Sequence, residues 1–343
     1  MILSKCPLRI SLAGGSSDLE EYIKNEKYGS VISFPCNLYA YNTIFVDKNG
    51  FNRRSGEYIV EYTKTEKTKS IDKIENHVAK YVLKHFNPDP LKVSFYSDIF
   101  SHGSGLASSS AYVISLVKAM SVLENKRMST LNISKLALDI ERNFNPLTGR
   151  QDTFGCGIGG LKRLEFFEEK TIARSLDDSI FSNFDMYLIY TGIKRNSTKI
   201  LKSLNLKKVK KVASLVNDME DAIYKKDEKS FLKIIQDGWN RKRQTSKLIQ
   251  SDMHILELDA LLKTCDLVKA HRLCGAGGGG YYLAFTEKNA DLSCHIKDFQ
   301  KISFKINIDN RGVTHTILWL ISTDILKLVL WPVVSIYCTQ DTA

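Results

Sequence analysis

Apolar residues recur along this chain at two periods, and the switches between them outline its elements. Near the amino end, LRISLA and YAYNTIFVD carry β-branched and aromatic residues between glycine-rich and polar breaks, which predicts strands. From residue 71 to 86, IDKIENHVAKYVLKHF places Ile74, Val78, Tyr81, Val82 and Phe86 on one helical face. LKVSFYSD predicts a further strand. Two helices follow, one in HGSGLASSSAYVISLVKAMSVLEN, entered directly from glycines and serines, and one in ISKLALDIERNF, ending before Pro146. LTGRQDTFGCGIGG reads as a glycine-rich loop leading to the strands LKRLEFF and DMYLIYTG. Between Lys194 and Lys269 the pattern is long amphipathic helices, with VKKVASLVNDMEDAIYKKD as one and FLKIIQDGWNRKRQTSKL as the next. HRLCGAGGGGYYLAFT is a glycine-rich turn ahead of a strand, and a helix and strand close the pattern near KINIDNRG. Strands and helices mixed throughout predict an α+β class.

At 343 residues the chain exceeds the size at which one core usually stops growing, so two lobes are expected, the second beginning near Thr191. That gives residues 1–190, 191–315 and an apolar tail from 316 to 343. A composition of 43% hydrophobic and 25% charged residues excludes a disordered chain. The net charge of +11 favours an anionic partner without choosing among a phosphorylated metabolite, nucleotide, nucleic acid or acidic membrane. The one basic run, KSLNLKKVKK, lacks the interleaved aromatic residues of a single-strand groove and reads as a solvated helix face, so no nucleic-acid partner is expected. Seven cysteines, odd in number and widely spaced without CxxC, suit reduced cytosolic thiols, and MILSKCPLRISLAGG lacks the apolar stretch of a secretory signal. The expected location is cytoplasmic. In the tail, ILWLISTDILKLVLWPVVSIYC carries Asp324, Lys327 and Pro332, which argue against a membrane span.

Four segments carry chemistry. GSGLASSSA runs Gly103, Ser104, Gly105, Leu106, Ala107, Ser108, Ser109 and Ser110 into a helix start, where small residues expose backbone N–H groups at the positive end of the helix dipole, a natural cradle for triphosphate. It is not the Walker form, because no GKS or GKT follows, and a serine-capped helix entering a core explains the segment equally well. Glu141 and Asp152, on either side of a helix end and glycine loop, suit the two carboxylate tasks of phosphoryl transfer, metal binding and orientation of the attacking hydroxyl. Taken alone, Glu141 can as well pair with Arg142 on the surface. CGAGGGGYY holds five glycines within residues 275–280, a concentration tolerated where a chain approaches a ligand or another backbone closely. PLRISLAGGSSD runs a strand into a small-residue turn bearing Gly15, with Arg9 to neutralise phosphate or hold a carboxylate and Asp18 to accept bonds from sugar hydroxyls.

In this order, the segments resemble the GHMP small-molecule kinases over about residues 1–315, and PLRISLAGGSSD, IER…GRQD…GG, YTGIKR and GAGGGG look most like the D-glycero-D-manno-heptose kinases of that family. The resemblance implies a first lobe similar to ribosomal protein S5 domain 2 and a ferredoxin-like second lobe with added helices, with the active site between them. It implies ATP and Mg2+, a phosphate loop over residues 103–110, Ser109 and Glu141 on magnesium, Asp152 as catalytic aspartate with Arg9 beside it, and Asp18 and Gly15 at the sugar. Residues Gly275 to Gly280 would close the site, with Gly277 and Gly278 at the substrate. Arg150, Lys194 and Arg195 are candidates for a phosphate already on the sugar. The implied reaction is phosphorylation of the anomeric hydroxyl of the heptose 7-phosphate, giving the 1,7-bisphosphate for capsule or lipopolysaccharide precursors. A fucose- or galactose-type GHMP kinase and a silent sugar- or nucleotide-binding regulator stay open as alternatives, as does a homodimer.

Three departures stand out. The loop lacks the usual preceding proline and is one residue longer, and Ala107 stands where glycine is common. A positive φ there would strain an alanine, yet a working loop is expected. The third departure is the apolar stretch from Ile317 onward.

Overall fold

Strand β1 (Ile2–Ala13) is buried along most of its length, the polar Ser4, Arg9 and Ser11 included, because it pairs on both sides. In the computed structural model, which describes residues 1–46, 54–99, 103–194 and 197–318, it is followed by α1 (Glu20–Glu26) and by the long strand β2 (Gly29–Phe45). β3 (Tyr58–Glu61), β4 (Thr65–Thr68), α2 (His77–Phe86), β5 (Lys92–Ser97), α3 (Ser108–Leu123), α4 (Thr130–Glu141) and α5 (Arg150–Gly157) come next. β6 (Lys162–Phe166) and β7 (Thr171–Ser175) lead to β8 (Asp185–Tyr190). The helical stretch comprises α6 (Ser197–Lys202), α7 (Leu206–Ala213), α8 (Leu215–Tyr224), α9 (Glu228–Arg243) and α10 (Met253–Thr264). β9 (Val268–Leu273), β10 (Tyr281–Thr286), α11 (Phe299–Ile302), β11 (Ser303–Ile306) and β12 (Thr314–Ile317) complete the order.

The strands form two sheets, which makes the α+β architecture. The first runs β12-β1-β2-β5-β3-β4; β2 is long enough to pair β6 with residues 29–33 and β5 with residues 40–45, and β7 joins beyond β6. The second, β11-β8-β10-β9, is antiparallel throughout. Strand 185–190, on the near side of the expected boundary at 191, thus pairs in the second sheet, and β12 returns the chain to the first beside β1. The principal core is continuous across both sheets: Leu8, Ile10 and Phe34 share it with Leu188, Leu283 and Phe285. Phe181 bridges them, with ring centroids 5.5 Å from Phe34 and 5.4 Å from Phe231, and Phe231 in turn lies 5.4 Å from Phe285.

Several expected elements take a different form. The helix expected from residue 71 begins at His77, because the Asn76 side chain accepts from Ala79 N at 2.9 Å and caps it there; residues Ile71–Lys73 form a separate 310 turn. LTGRQDTFGCGIGG, read as a loop, contains helix α5. Its glycines serve close packing: a Cβ on Gly155 would lie 3.3 Å from Arg9 Cβ, and one on Gly157 would collide with Ser134 Oγ. VKKVASLVNDMEDAIYKKD is two helices that meet at Ser214, whose hydroxyl donates to Lys211 O and competes with the helical ladder. β3, β4 and β7 are short, and polar strands such as TEKT carry no apolar run to mark them.

The run at 202–211 is a solvated face, with Val209 buried and Lys207, Lys208, Lys210 and Lys211 exposed. Lys210 pairs with Glu26 at 2.6 Å. Cys6, Cys36, Cys156, Cys265 and Cys274 are buried free thiols and Cys294 is exposed; Cys338 lies outside the described residues, as does the tail from 319. Among the described residues no helix is long and apolar enough to cross a membrane.

Candidate active site

Arg9 organises the site. Its position on β1 aims a side chain only 4% exposed at two neighbours: Nη1 donates to Gly105 O at 2.8 Å, while Nε and Nη2 donate to Asp152 Oδ1 at 3.0 and 2.7 Å. Its backbone N also donates to Leu106 O at 3.1 Å, so β1 holds the glycine-serine loop by main chain and side chain together. Burial works against the guanidinium charge, but Asp152 outweighs it and raises the Arg9 pKa. Asp152 sits in the first turn of α5, where the helix dipole favours a negative charge.

The loop makes its turns at Gly103, Gly105 and Ala107, with φ of 75°, 89° and 61°. Leu106 is buried as an anchor, its N donating to Ser104 Oγ at 3.2 Å, and Ser104 Oγ lies 2.9 Å from Ser108 Oγ. Helix α3 therefore begins at Ser108 with no side-chain cap bond from Ala107, so the N–H groups of its first turn, which have no partner within the helix, open next to the loop. Ser109 is exposed there, and Ser110 Oγ donates to Glu141 Oε2 at 2.6 Å. Glu141 ends α4 at 1% exposure. Burial lifts its carboxyl to about 7; the Ser110, Asn145 and Ser109 bonds oppose that rise, and the Asp152 charge adds to it.

Asp18 follows a turn pinned by Ser17 Oγ, which donates to Gly14 O at 2.7 Å and Ser30 O at 2.8 Å. Asp18 Oδ2 accepts from Gln151 N at 3.1 Å, and Gly149 must be glycine because a Cβ would collide with that oxygen. Burial, then the charge of Asp152, pushes the Asp18 carboxyl up to about 6. Arg9, Asp18, Gly15 and Asp152 line one cleft with Ser11, Gln151, Lys242 and Gly275. Lys242 Nζ donates to Gly275 O.

The structure thus brings Arg9, Asp18, Gly15, Asp152, Glu141 and residues 103–110 to one place. Two expectations are corrected. Arg150 is turned away: its guanidinium is held by Glu20 at 2.7 and 3.1 Å and by Glu168 O at 2.8 Å, which ties α5 to α1 and the β6–β7 turn. Gly277 and Gly278 pack on protein, where a Cβ would meet Ile249 at 2.7 Å and Ile200 at 2.5 Å, and Gly275 and Ala276 border the cleft in their place. Of the YTGIKR segment, Lys194 is exposed, and Arg195 lies outside the described residues. Ser11, Gln151 and Lys242 were missed. For Lys242 a signal existed: it falls three residues after Trp239 and seven after Ile235, on the buried face of α9.

Residues 73–160 match the model of the GHMP kinases N-terminal domain, a stretch that includes the loop, Glu141 and Asp152. The chain carries a GHMP kinase domain. The D-glycero-alpha-D-manno-heptose 7-phosphate kinase of Campylobacter jejuni subsp. jejuni serotype O:2 is 28% identical to it over 310 residues, covering 83% of this chain and 89% of that protein. The galactokinase of Thermotoga petrophila is 25% identical over 193 residues, covering 55% of this chain and 53% of the galactokinase. The crystal structure of a D-glycero-D-manno-heptose 1-phosphate kinase from Bacteriodes thetaiotaomicron superposes with a TM-score of 0.71 at 22% identity, over 92% of this chain and 98% of its own, so the GHMP kinase fold extends through both sheets.

Two stability experiments follow from this geometry. Ala107 holds a left-handed conformation that costs an alanine roughly 1 kcal/mol more than a glycine, so Ala107→Gly should raise the urea unfolding free energy by about that amount. Glu141 is held above its unfolded pKa, so its contribution to folding is complete below the unfolded value and disappears as pH climbs through about 7. Between about pH 5 and about pH 8, the protein should therefore lose more thermal stability than Glu141→Gln, which cannot ionise.

Proposed function

We propose that this protein is an ATP-dependent sugar kinase whose acceptor is the anomeric hydroxyl of D-glycero-D-manno-heptose 7-phosphate, giving the 1,7-bisphosphate. One observation carries the phosphotransfer reading: the Arg9 guanidinium bonds both the Asp152 carboxylate and the Gly105 carbonyl of the loop that opens α3, so an acid-base group and a small-residue loop at a helix start are held side by side. The heptose assignment rests on the Campylobacter jejuni relative, which matches across most of both chains, whereas the galactokinase match spans about half of each.

The residues divide the work by their surroundings. The N–H groups at the start of α3 and the hydroxyls of Ser108 and Ser109 receive the triphosphate. Asp152, kept oriented by the Arg9 fork, accepts the proton of the attacking hydroxyl as that oxygen bonds to the γ-phosphorus of ATP and the bond from the γ-phosphorus to the bridging oxygen breaks, releasing ADP; an anomeric hydroxyl is more acidic than an ordinary one, which eases that transfer. Arg9 supplies positive charge next to the transferring group without leaving Asp152. Asp18 presents Oδ1 toward acceptor hydroxyls.

Magnesium fits this donor set. Glu141 and the Ser109 and Ser110 hydroxyls are hard oxygen donors gathered at one point, and a buried carboxyl pushed up to about 7 is one whose ionisation a divalent cation would favour. Bound there, the ion would neutralise charge on the β- and γ-phosphate oxygens. Use of ATP places the reaction in the cytoplasm, and its product suits the synthesis of nucleotide-heptose precursors for capsule or lipopolysaccharide.

Incubation with ATP, magnesium and the heptose 7-phosphate, followed by NMR of the product, should show phosphate on C1. Asp152→Asn should lower kcat by about 10²–10⁴-fold while ATP affinity is retained. Equal turnover of the variant would remove Asp152 from the reaction, and preference for galactose or fucose lacking a 7-phosphate would transfer the enzyme to those sugars.

A further inference from the structure

Buried polar atoms in folded proteins almost always have a hydrogen-bond partner, and each one left without costs about 1–3 kcal/mol. In this cleft three residues break that rule together. Ser11 Oγ, Asp18 Oδ1 and Gln151 Oε1 are all buried and without a hydrogen-bond partner among the described residues, and all three residues line the cleft that holds Arg9 and Asp152. Their placement is not scattered. Ser11 follows Arg9 by two residues on β1 and so shares its face of the strand. Gln151 immediately precedes Asp152 in the first turn of α5, and its backbone N donates to the other oxygen of Asp18.

We propose that Ser11 and Gln151 are specificity-determining residues that read hydroxyl groups of the acceptor, completing with Asp18 a wall that takes a polyhydroxylated ring. The inference rests on the kinase reading of the cleft and adds which part of the acceptor this end recognises. The chemistry of the unpartnered atoms decides the ligand class. Gln151 Oε1 can only accept a hydrogen bond, an ionised Asp18 can only accept, and Ser11 can do either. A sugar hydroxyl brings the donor these oxygens lack.

The test uses Ser11→Ala and Gln151→Leu with a panel of monodeoxy analogues of whichever sugar the enzyme phosphorylates. The wild-type enzyme should lose at least 100-fold in kcat/KM on one or more analogues, because a site built around a hydroxyl rejects the compound lacking it. Each variant should lose about 10–100-fold on the full sugar, mostly through KM, with little further loss on the analogue lacking its own hydroxyl partner. Ser11→Ala should also melt at a higher temperature than wild type without ligand, since it deletes an unsatisfied hydroxyl, an outcome that a merely structural serine would reverse. Variants that lose the same factor on every analogue, or a Ser11→Ala that melts lower with selectivity intact, overturn the assignment while leaving the kinase in place. A wild-type enzyme that phosphorylates no sugar removes the kinase reading itself.

Discussion

The site depends on one buried guanidinium. Arg9 is taken almost wholly out of water, which is tolerable only because every direction of its fork meets an acceptor: the Gly105 carbonyl on one side and Asp152 on the other. That satisfaction has a structural price in sequence. The loop must turn at Gly105 to present its carbonyl, and α5 must carry glycine at 155 to lie against the Arg9 stem. A lysine has no planar fork and would leave either the loop or the carboxylate without its partner. The glycine-serine loop and the Asp152 carboxylate are thus held by one buried guanidinium.

Three carboxylates of the same chemistry are separated by their neighbours. Asp152 has the arginine and the helix dipole. Asp18 and Glu141 have burial and hydroxyl or amide donors, and each also feels the charge of Asp152, so both are lifted, to about 6 and about 7. Within the cleft Asp18 and Asp152 are accompanied by two cations, Arg9 from β1 and Lys242 from α9, while Glu141 lies apart from its lining, bonded to Ser110.

Much of this was legible in the sequence because chemistry-bearing residues sat in short segments with a recognisable order: Arg9 to Asp18, residues 103–110, then Glu141 and Asp152. Their convergence required only that small residues mark close approaches. What the sequence obscured follows from the same feature. Glycines at 149, 155 and 157 read as a loop, but they are packing glycines around a helix, so Asp152 acquired its helical first turn only in the structure. Arg150 looked like a phosphate ligand by adjacency; helical geometry instead sends it to Glu20 on the side away from the cleft. Ser11 and Gln151 gave no signal, because an unsatisfied oxygen is a property of three-dimensional neighbours and has no sequence pattern.

The second sheet reaches the cleft through backbone and one lysine, and both need a rigid mount. Gly280 abuts the loop so closely that a Cβ would collide with Ser104 O, and its carbonyl accepts from Thr191 N and Oγ1, both at 2.9 Å. Lys242 is carried by α9, which is fixed on either side of it by one buried carboxylate: Asp259 accepts from Trp239 Nε1 at 2.7 Å and from Arg243 at 3.3 Å, and its Oδ1 lies 3.0 Å from His271 Nε2 on β9. Burial alone would raise Asp259, but these bonds prevail and hold it at about 2. Because β9 runs directly into the glycine turn, the same carboxylate that orients α9 also fixes the strand that delivers Gly275 to Lys242. Two contributions of the second sheet to the cleft are therefore set by a single network lying outside it.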